Sequence, residues 1–258
     1  MTSDEAGDER RIYVGLARHT GDEVQPAGLM KLVRRGVVES GEFAYGRRYL
    51  QDPAALPLNP EQLPLRDAAF TLPERRIREG GAMPLTLRDA LPDSWGRKVL
   101  ETRQGKPLSD IDALLLTNED RIGAMVFAEA LPIQSEEPPS MLWSLEELAE
   151  ASRRVEEGME IGPDMHLLRG GSLGGARPKA AFAHEGRRYI AKFSSRGDDH
   201  DVEVIEAATL WLASACGIRV PAFLLQPLAF GHALLVERFD RTGPVNDEQR
   251  HHYLSASA

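Results

Sequence analysis

Residues 170–183 read GGSLGGARPKAAFA, and from residue 180 the chain continues as AAFAHEGRRYIAKF. No other stretch restricts the fold as much. Four glycines leave the backbone free to adopt positive φ, and they discourage a helix. The alternation that follows, broken at Glu185-Gly186, is that of a β-hairpin. Two familiar phosphate-binding templates are thereby excluded. Lys179 follows Pro178 and precedes Ala180, so the stretch is not G-x-x-x-x-G-K-[ST]. The element after the glycines is a hairpin rather than a helix, so it is not a dinucleotide fingerprint either. Two readings stay open: a flexible surface turn, or a strand–glycine–strand lid whose backbone approaches phosphate oxygens, as in protein-kinase-type folds.

Lys192 bears on that choice. In YIAKF the alternation puts Ile190 and Lys192 on one face and Ala191 and Phe193 on the other. A lysine among apolar strand residues needs an anionic partner, because an unpaired buried ammonium is costly. The stretch DVEVIEAATLWLASACG (201–217) predicts a helix and carries Glu203 and Glu206, the latter fourteen residues after Lys192. Kinase-type sites pair a strand lysine with a helix glutamate in this way. Alternatively, Lys192 reaches solvent and both glutamates are surface charges. A second hairpin, PAFLLQPLAFGHALLVERF (221–239), runs into VERFDR (236–241). This is either a hinge whose backbone meets an adenine edge or an ordinary strand end with a surface Arg–Asp pair.

Upstream, IYVGLA (12–17) and FAYGRRYL (43–50) predict strands. Four prolines in residues 52–65 impose an extended, loop-like path. A helix capped by Asp93 or Ser94 should end near Gly105. Ser109 and Asp112 stand at capping-box spacing, and Ser144 with Glu147 forms a full S-x-x-E box. IGAMVFAEAL (122–131) predicts a buried strand, and residues 132–140, polar and proline-rich, read as a linker.

In combined order these pieces resemble the HipA-type serine/threonine kinases, the toxins of HipA–HipB toxin–antitoxin modules. The resemblance rests on GSLGGARPKA, YIAKF, the helix ending in ACGIRVP, and VERFDR. It also rests on LRDALPDSWGRKVL and LLLTNEDRIGAMVF upstream, and it covers nearly the whole chain from Arg11. It implies an α+β protein. The expected parts are an acidic arm (1–10), a HipA-like N-terminal subdomain (11–131), the linker (132–140) and a kinase-like N-lobe (141–241), followed by residues 242–258 as the start of a further kinase region. Ser172, Gly174, Gly175, Ala176, Lys179, Lys192, Glu206, Glu237 and Phe239 fall on the family's nucleotide-site positions. Of these, Ser172 matches a loop serine whose autophosphorylation switches the kinase off, and Glu237 and Phe239 match the hinge. ATP and Mg²⁺ are the implied cofactors. A HipB-like DNA-binding antitoxin and a protein substrate such as glutamyl-tRNA synthetase, an aminoacyl-tRNA synthetase, are the implied partners.

One departure from the family pattern stands out. After VERFDR only seventeen residues remain, and they lack the separated Asp…Asn and Asp that a kinase uses as base and metal ligands. Asn246 and Asp247 are adjacent, and the neighbours His251 and His252 read as a solvated tail rather than a metal pair. The expectation is therefore a chain truncated before the catalytic C-lobe, inactive alone, with apolar surface exposed around Lys192 and the hinge. The rival reading is a non-catalytic module that binds an antitoxin or another partner. A third is an ATP-binding domain of unrelated chemistry, which would need the glycine segment to lead into a helix.

Composition bears on partners and compartment. A net charge of −9 argues against wrapping nucleic acid, and Arg34, Arg35, Arg47 and Arg48 read as a solvated face. The single cysteine, Cys216, excludes an internal disulfide and reads as a small buried hydrophobe. With no apolar run of about eighteen residues and no apolar leader in MTSDEAGDERR, a cytoplasmic protein without a membrane span is expected.

Overall fold

Strong alternation in the first fifty residues builds an antiparallel meander of β1 (Asp8–Leu16), β2 (Gln25–Arg35) and β3 (Val38–Tyr45). Ile12, Val14, Met30, Leu32, Phe43 and Tyr45 all turn to one buried face. β4 (Phe70–Arg76) and β5 (Met125–Ala128) complete a five-stranded sheet ordered β4-β3-β2-β1-β5. The computed structural model describes residues 7–21, 23–117, 120–134, 143–159, 175–256 and 258. Gly28 has a packing reason: a Cβ there would lie 2.6 Å from the Phe43 ring, which crosses the strand at that point.

Three expectations for this half shift. β1 starts at Asp8, inside the stretch expected as a free arm, and sets Asp8 opposite Arg34. FAYGRRYL is not one strand. β3 stops at Tyr45, and Gly46 opens α1 (Arg47–Gln51), which turns Tyr49 into the core with its ring 6.0 Å from Tyr45. A straight strand would have pointed Tyr49 along the sheet instead of beneath it. The buried strand expected over 122–131 is pared to four residues, since only these find partners on β1.

The proline-rich segment 52–65 keeps its loop-like path and closes the open side of this core. The Tyr45 hydroxyl accepts from Leu58 N at 2.8 Å and donates to the Leu63 carbonyl, while the Tyr49 hydroxyl donates to the Leu56 carbonyl at 2.7 Å. α2 (Leu85–Arg88) and α4 (Asp110–Leu116) add Leu87, Ile111 and Leu114 to the same core. Arg34 and Arg35 lie at the C-terminal end of β2, and Arg47 and Arg48 lie past the C-terminal end of β3, at the opposite end of the strand pair. All four are exposed, and they form no common patch.

A second, four-stranded antiparallel sheet has the order β6-β7-β9-β8, from β6 (Lys179–His184), β7 (Arg187–Phe193), β8 (Phe223–Pro227) and β9 (His232–Glu237). Both hairpins form where the alternation placed them. One face carries Ala180, Tyr189, Ala191, Phe193 and Leu235 and packs on α3 (Ser94–Gln104) and α5 (Leu145–Glu156). The local signals hold here. Asp93 caps α3, Gly105 ends it at φ 65°, Ser109 caps α4, and Ser144 with Glu147 forms the full box on α5. α3 comes from the middle of the N-terminal half, yet Trp95 and Val99 belong to this second core.

α6 (Val202–Ala215) packs against β8 and β9. Only Glu203 and Ala207 of the helix are buried. Trp211 is 67% exposed, and Ile205, Leu212, Ile218 and Phe239 are more than half exposed. Apolar surface thus lies open along α6 and, at the expected hinge, at Phe239 past the end of β9. Cys216 corrects the sequence reading: it is exposed. It caps the C-terminus of α6, whose buried residues, Glu203 and Ala207, both lie in the first half of the helix.

Residues 241–256 are not a solvated tail. β10 (Arg241–Thr242) and β11 (Gln249–Arg250) form a small ribbon, and Val245, Glu248 and Arg250 are buried. Arg250 N donates to the Arg18 carbonyl, and Thr20 N donates to the Glu248 carbonyl. His252 Nε2 lies 2.8 Å from the Leu58 carbonyl, and Ser255 bonds the Asp89 carboxylate. The chain therefore returns across the first sheet. The described residues make an α+β protein of antiparallel sheets and six α-helices, and none of those helices is long and apolar enough to cross a membrane.

Candidate functional site

The register of β6 against β7 sets Lys179 directly opposite Lys192. Paired residues on antiparallel strands share a face, so both lysines leave the sheet opposite Ala180 and Ala191, and Lys179 feels the Lys192 charge. Like charges so placed repel, and each lysine has its own carboxylate. Lys192 pairs with Glu206 on α6, both side chains being about one-third exposed. Of the two readings that the spacing left open for Lys192, the structure has the ion pair, with Glu206 as the partner.

Lys179 has a different partner. Its side chain is 4% exposed, and its Nζ lies 3.1 Å from Asp93 Oδ2. Asp93 is the N-cap of α3, and its other oxygen accepts from Gly96 N at 2.6 Å. One carboxylate therefore satisfies a helix end and a buried ammonium together, in the electropositive field of the helix N-terminus. Burial pushes the Lys179 ammonium below its ordinary range. Asp93 opposes that shift, and the charges of Lys192 and Arg177 add to it.

The glycine segment enters this cluster at Gly175, with φ 100°, a conformation that favours glycine. The Gly175 carbonyl faces Trp95 N at 3.4 Å, and the Lys179 carbonyl accepts from Trp95 Nε1 at 2.8 Å. Ala176 is exposed beside it. Arg177 then anchors the exit. Its Nη1 donates to Asp198 at 2.8 Å, and its Nη2 lies 3.4 Å from Glu203. Glu203, 2% exposed, also accepts from Ser194 Oγ at 2.7 Å. The Asp198 hydrogen bonds hold the Arg177 guanidinium above its usual range, and in return they hold the Asp198 carboxyl below its own.

Gly175, Lys179, Lys192 and Glu206 therefore converge, with Ala176 at the rim. Ser172 and Gly174 lie outside the described residues. Glu237 and Phe239 stand apart. Glu237 pairs with Tyr189, and so its side chain lies on the face opposite Lys192, bonded to Arg187 at 2.7 Å. Its backbone N–H donates to the Ala222 carbonyl. Phe239 is 62% exposed and leans on Tyr253 with centroids 5.4 Å apart.

The Arg–Asp pair of VERFDR is not at the surface. Arg238 and Asp240 are buried and bonded at 2.9 and 2.8 Å. Arg238 also donates to the carbonyls of Asp120 and Arg121, and Asp240 accepts from Gly123 N at 2.7 Å. This clasp ties the end of β9 to the first sheet.

Comparison with protein families fits both halves. The HipA N-terminal domain model matches residues 25–128, and the HipA-like C-terminal domain model matches residues 171–258. The chain belongs to the HipA family. No curated protein matches it. In this HipA-family chain the two matched regions meet at the lysine pair, because Asp93 comes from the N-terminal match and Lys179 from the C-terminal one. Sequence reading found Asp93 only as a cap, and it missed Arg177. No spacing rule links Asp93 to a lysine eighty-six residues away.

Proposed function

We propose that this chain carries the nucleotide-binding part of a HipA-type serine/threonine protein kinase, with β6–β9 and α6 as its kinase-like N-lobe. The Lys192–Glu206 pair carries the reading. A strand lysine held by a helix glutamate, next to a glycine segment, is the arrangement that steadies an ammonium against the phosphates of ATP. Lys179 adds a second positive charge on the same face. These residues fit a polyphosphate chain. Among the described residues, no three of His, Cys, Asp and Glu lie together as a metal site.

The work assigned to this chain is binding and orientation. Lys192 and Lys179 neutralise phosphate charge, and the glycine segment brings backbone N–H groups close. In the complete reaction the γ-phosphate passes to a protein serine, by general base and metal chemistry that the described residues do not supply. Ser172 is the proposed autophosphorylation site, where added negative charge would oppose ATP. A HipB-like antitoxin and an aminoacyl-tRNA synthetase remain the proposed partner and substrate. One observation favours the second reading, a non-catalytic binding module: the open apolar face of Trp211, Leu212 and Ile218.

Calorimetry with ATP tests the reading. Binding should weaken at least about tenfold in Lys192→Met and in Glu206→Gln, with little loss of stability because the pair is partly solvated. Incubation with Mg-ATP should leave Ser172 essentially unlabelled. Equal ATP affinity in the parent and Lys192→Met, or no affinity in either, would sink it.

A further inference from the structure

We propose that Asp93 is a positioning residue for the lysine pair: it holds Lys179 charged and in place at the exit of the glycine segment. Through it, the seating of α3 controls half of the site's positive charge. The consequence for nucleotide affinity rests on the functional reading above; the hold on Lys179 does not.

The geometry is specific. Lys179 is the more deeply buried member of the pair, and Asp93 Oδ2, at 3.1 Å, is the carboxylate it meets. Glu206 is taken up by Lys192 on the neighbouring strand. Arg177, on the segment before β6, is directed at Asp198 and at Glu203 of α6. The groups facing Lys179 are therefore Asp93 from α3, Lys192 from β7 and Arg177 from the incoming segment, one carboxylate against two positive charges. Without Asp93, burial and those two neighbours all favour the neutral amine. A neutral Lys179 would attract no phosphate.

Asp93 also belongs to a rigid element. α3 is locked into the second core through Trp95 and Val99, and Trp95 bonds the backbone on both sides of Arg177, at Gly175 and at Lys179. A movement of α3 would shift the glycine exit and the lysine's counter-charge together. A helix of the HipA N-terminal match thus enters the electrostatics of the C-terminal one.

Asp93→Asn separates the two duties of the residue, since asparagine caps a helix about as well as aspartate but carries no charge. Asp93→Ser is a second uncharged cap in case the first variant disturbs folding, with unchanged circular dichroism as the control. The direct readout is the Lys179 13Cε resonance, assigned with Lys179→Arg and followed from pH 6 to 11 without nucleotide. Lys179 should titrate about one pH unit or more lower in both variants. The second readout is ATP affinity at pH 7 and pH 9, which should fall about tenfold more in Asp93→Asn than in the parent. A purely structural cap would move neither.

An unchanged Lys179 titration in both variants overturns the proposal. So does an unchanged pH profile of ATP affinity where the parent chain binds ATP. If Lys179 shifts but no form binds ATP, the hold of Asp93 on Lys179 stands and the nucleotide reading fails.

Discussion

Replacing Asp240 with asparagine should break the clasp between the two sheets. The Asp240 carboxylate is 1% exposed. It accepts from Arg238 at 2.9 and 2.8 Å, from Arg241 at 2.6 Å and from Gly123 N at 2.7 Å. Asparagine keeps the shape but presents an N–H₂ to guanidinium donors and removes the charge that both arginines face. Losing one partner of a buried ion pair costs about 3–5 kcal/mol, a large share of the roughly 5–15 kcal/mol that holds a typical domain together. Acid provides an independent measure. Burial pushes the Asp240 carboxyl up, but Arg238, Arg241 and Gly123 N–H outweigh it and lower it from 3.8 to about 2. A depressed carboxyl contributes stability that is fully present above its unfolded value of 3.8 and lost as pH falls through about 2. At about 1.4 kcal/mol per pH unit, that lowering is worth about 2.5 kcal/mol at neutral pH. That is less than the mutational cost, because a protonated carboxyl still accepts hydrogen bonds. Urea unfolding at pH 7, then stepwise to pH 2, gives both numbers. The gap between parent and Asp240→Asn should be large at pH 7 and narrow by about 2 kcal/mol at pH 2. A cost under about 1 kcal/mol at pH 7, or a gap that stays constant into acid, would refute the reasoning.

Two further substitutions probe other parts of the fold. Trp95→Phe removes the Nε1 bond to the Lys179 carbonyl and part of a buried ring. It should cost about 2 kcal/mol in urea unfolding, and a near-zero change would mean that Trp95 does not anchor the glycine exit. His252 is held below its ordinary range by burial and by the Arg18 charge, against the pull of the Leu58 carbonyl. Its neutral form is favoured in the fold, so its contribution is complete above about pH 6.5 and declines as pH falls toward the lowered folded value. Thermal melts from pH 7.5 to 5.5 should show this decline, and it should flatten in His252→Gln; parallel curves would exclude the linkage.

The two hairpins and the helix caps at Asp93, Ser109 and Ser144 were legible in the sequence, and Lys192 with Glu206 was one of two readings that it left open. Each depends on residues within about one element of one another, where strand alternation and helix-cap spacing dictate which side chains meet. The HipA resemblance was legible for the same reason, as a series of local motifs in order. What the residues could not reveal lies at long range. Asp93 reaches Lys179 only because α3 leaves the first half of the chain to pack Trp95 against the second sheet. VERFDR read as either a hinge or a strand end with a surface ion pair, and burial against Gly123 and the 120–121 backbone made its Arg–Asp pair a clasp to the segment before β5. Residues 241–256 run back over the first sheet, where His251 and His252 had read as a solvated tail. Cys216 is apolar by type but exposed by position, because the buried residues of α6 lie only in its first half. Alternation and capping act through neighbours along the chain. Counter-charges for a buried lysine, or cover for a helix face, are assigned only when distant elements pack.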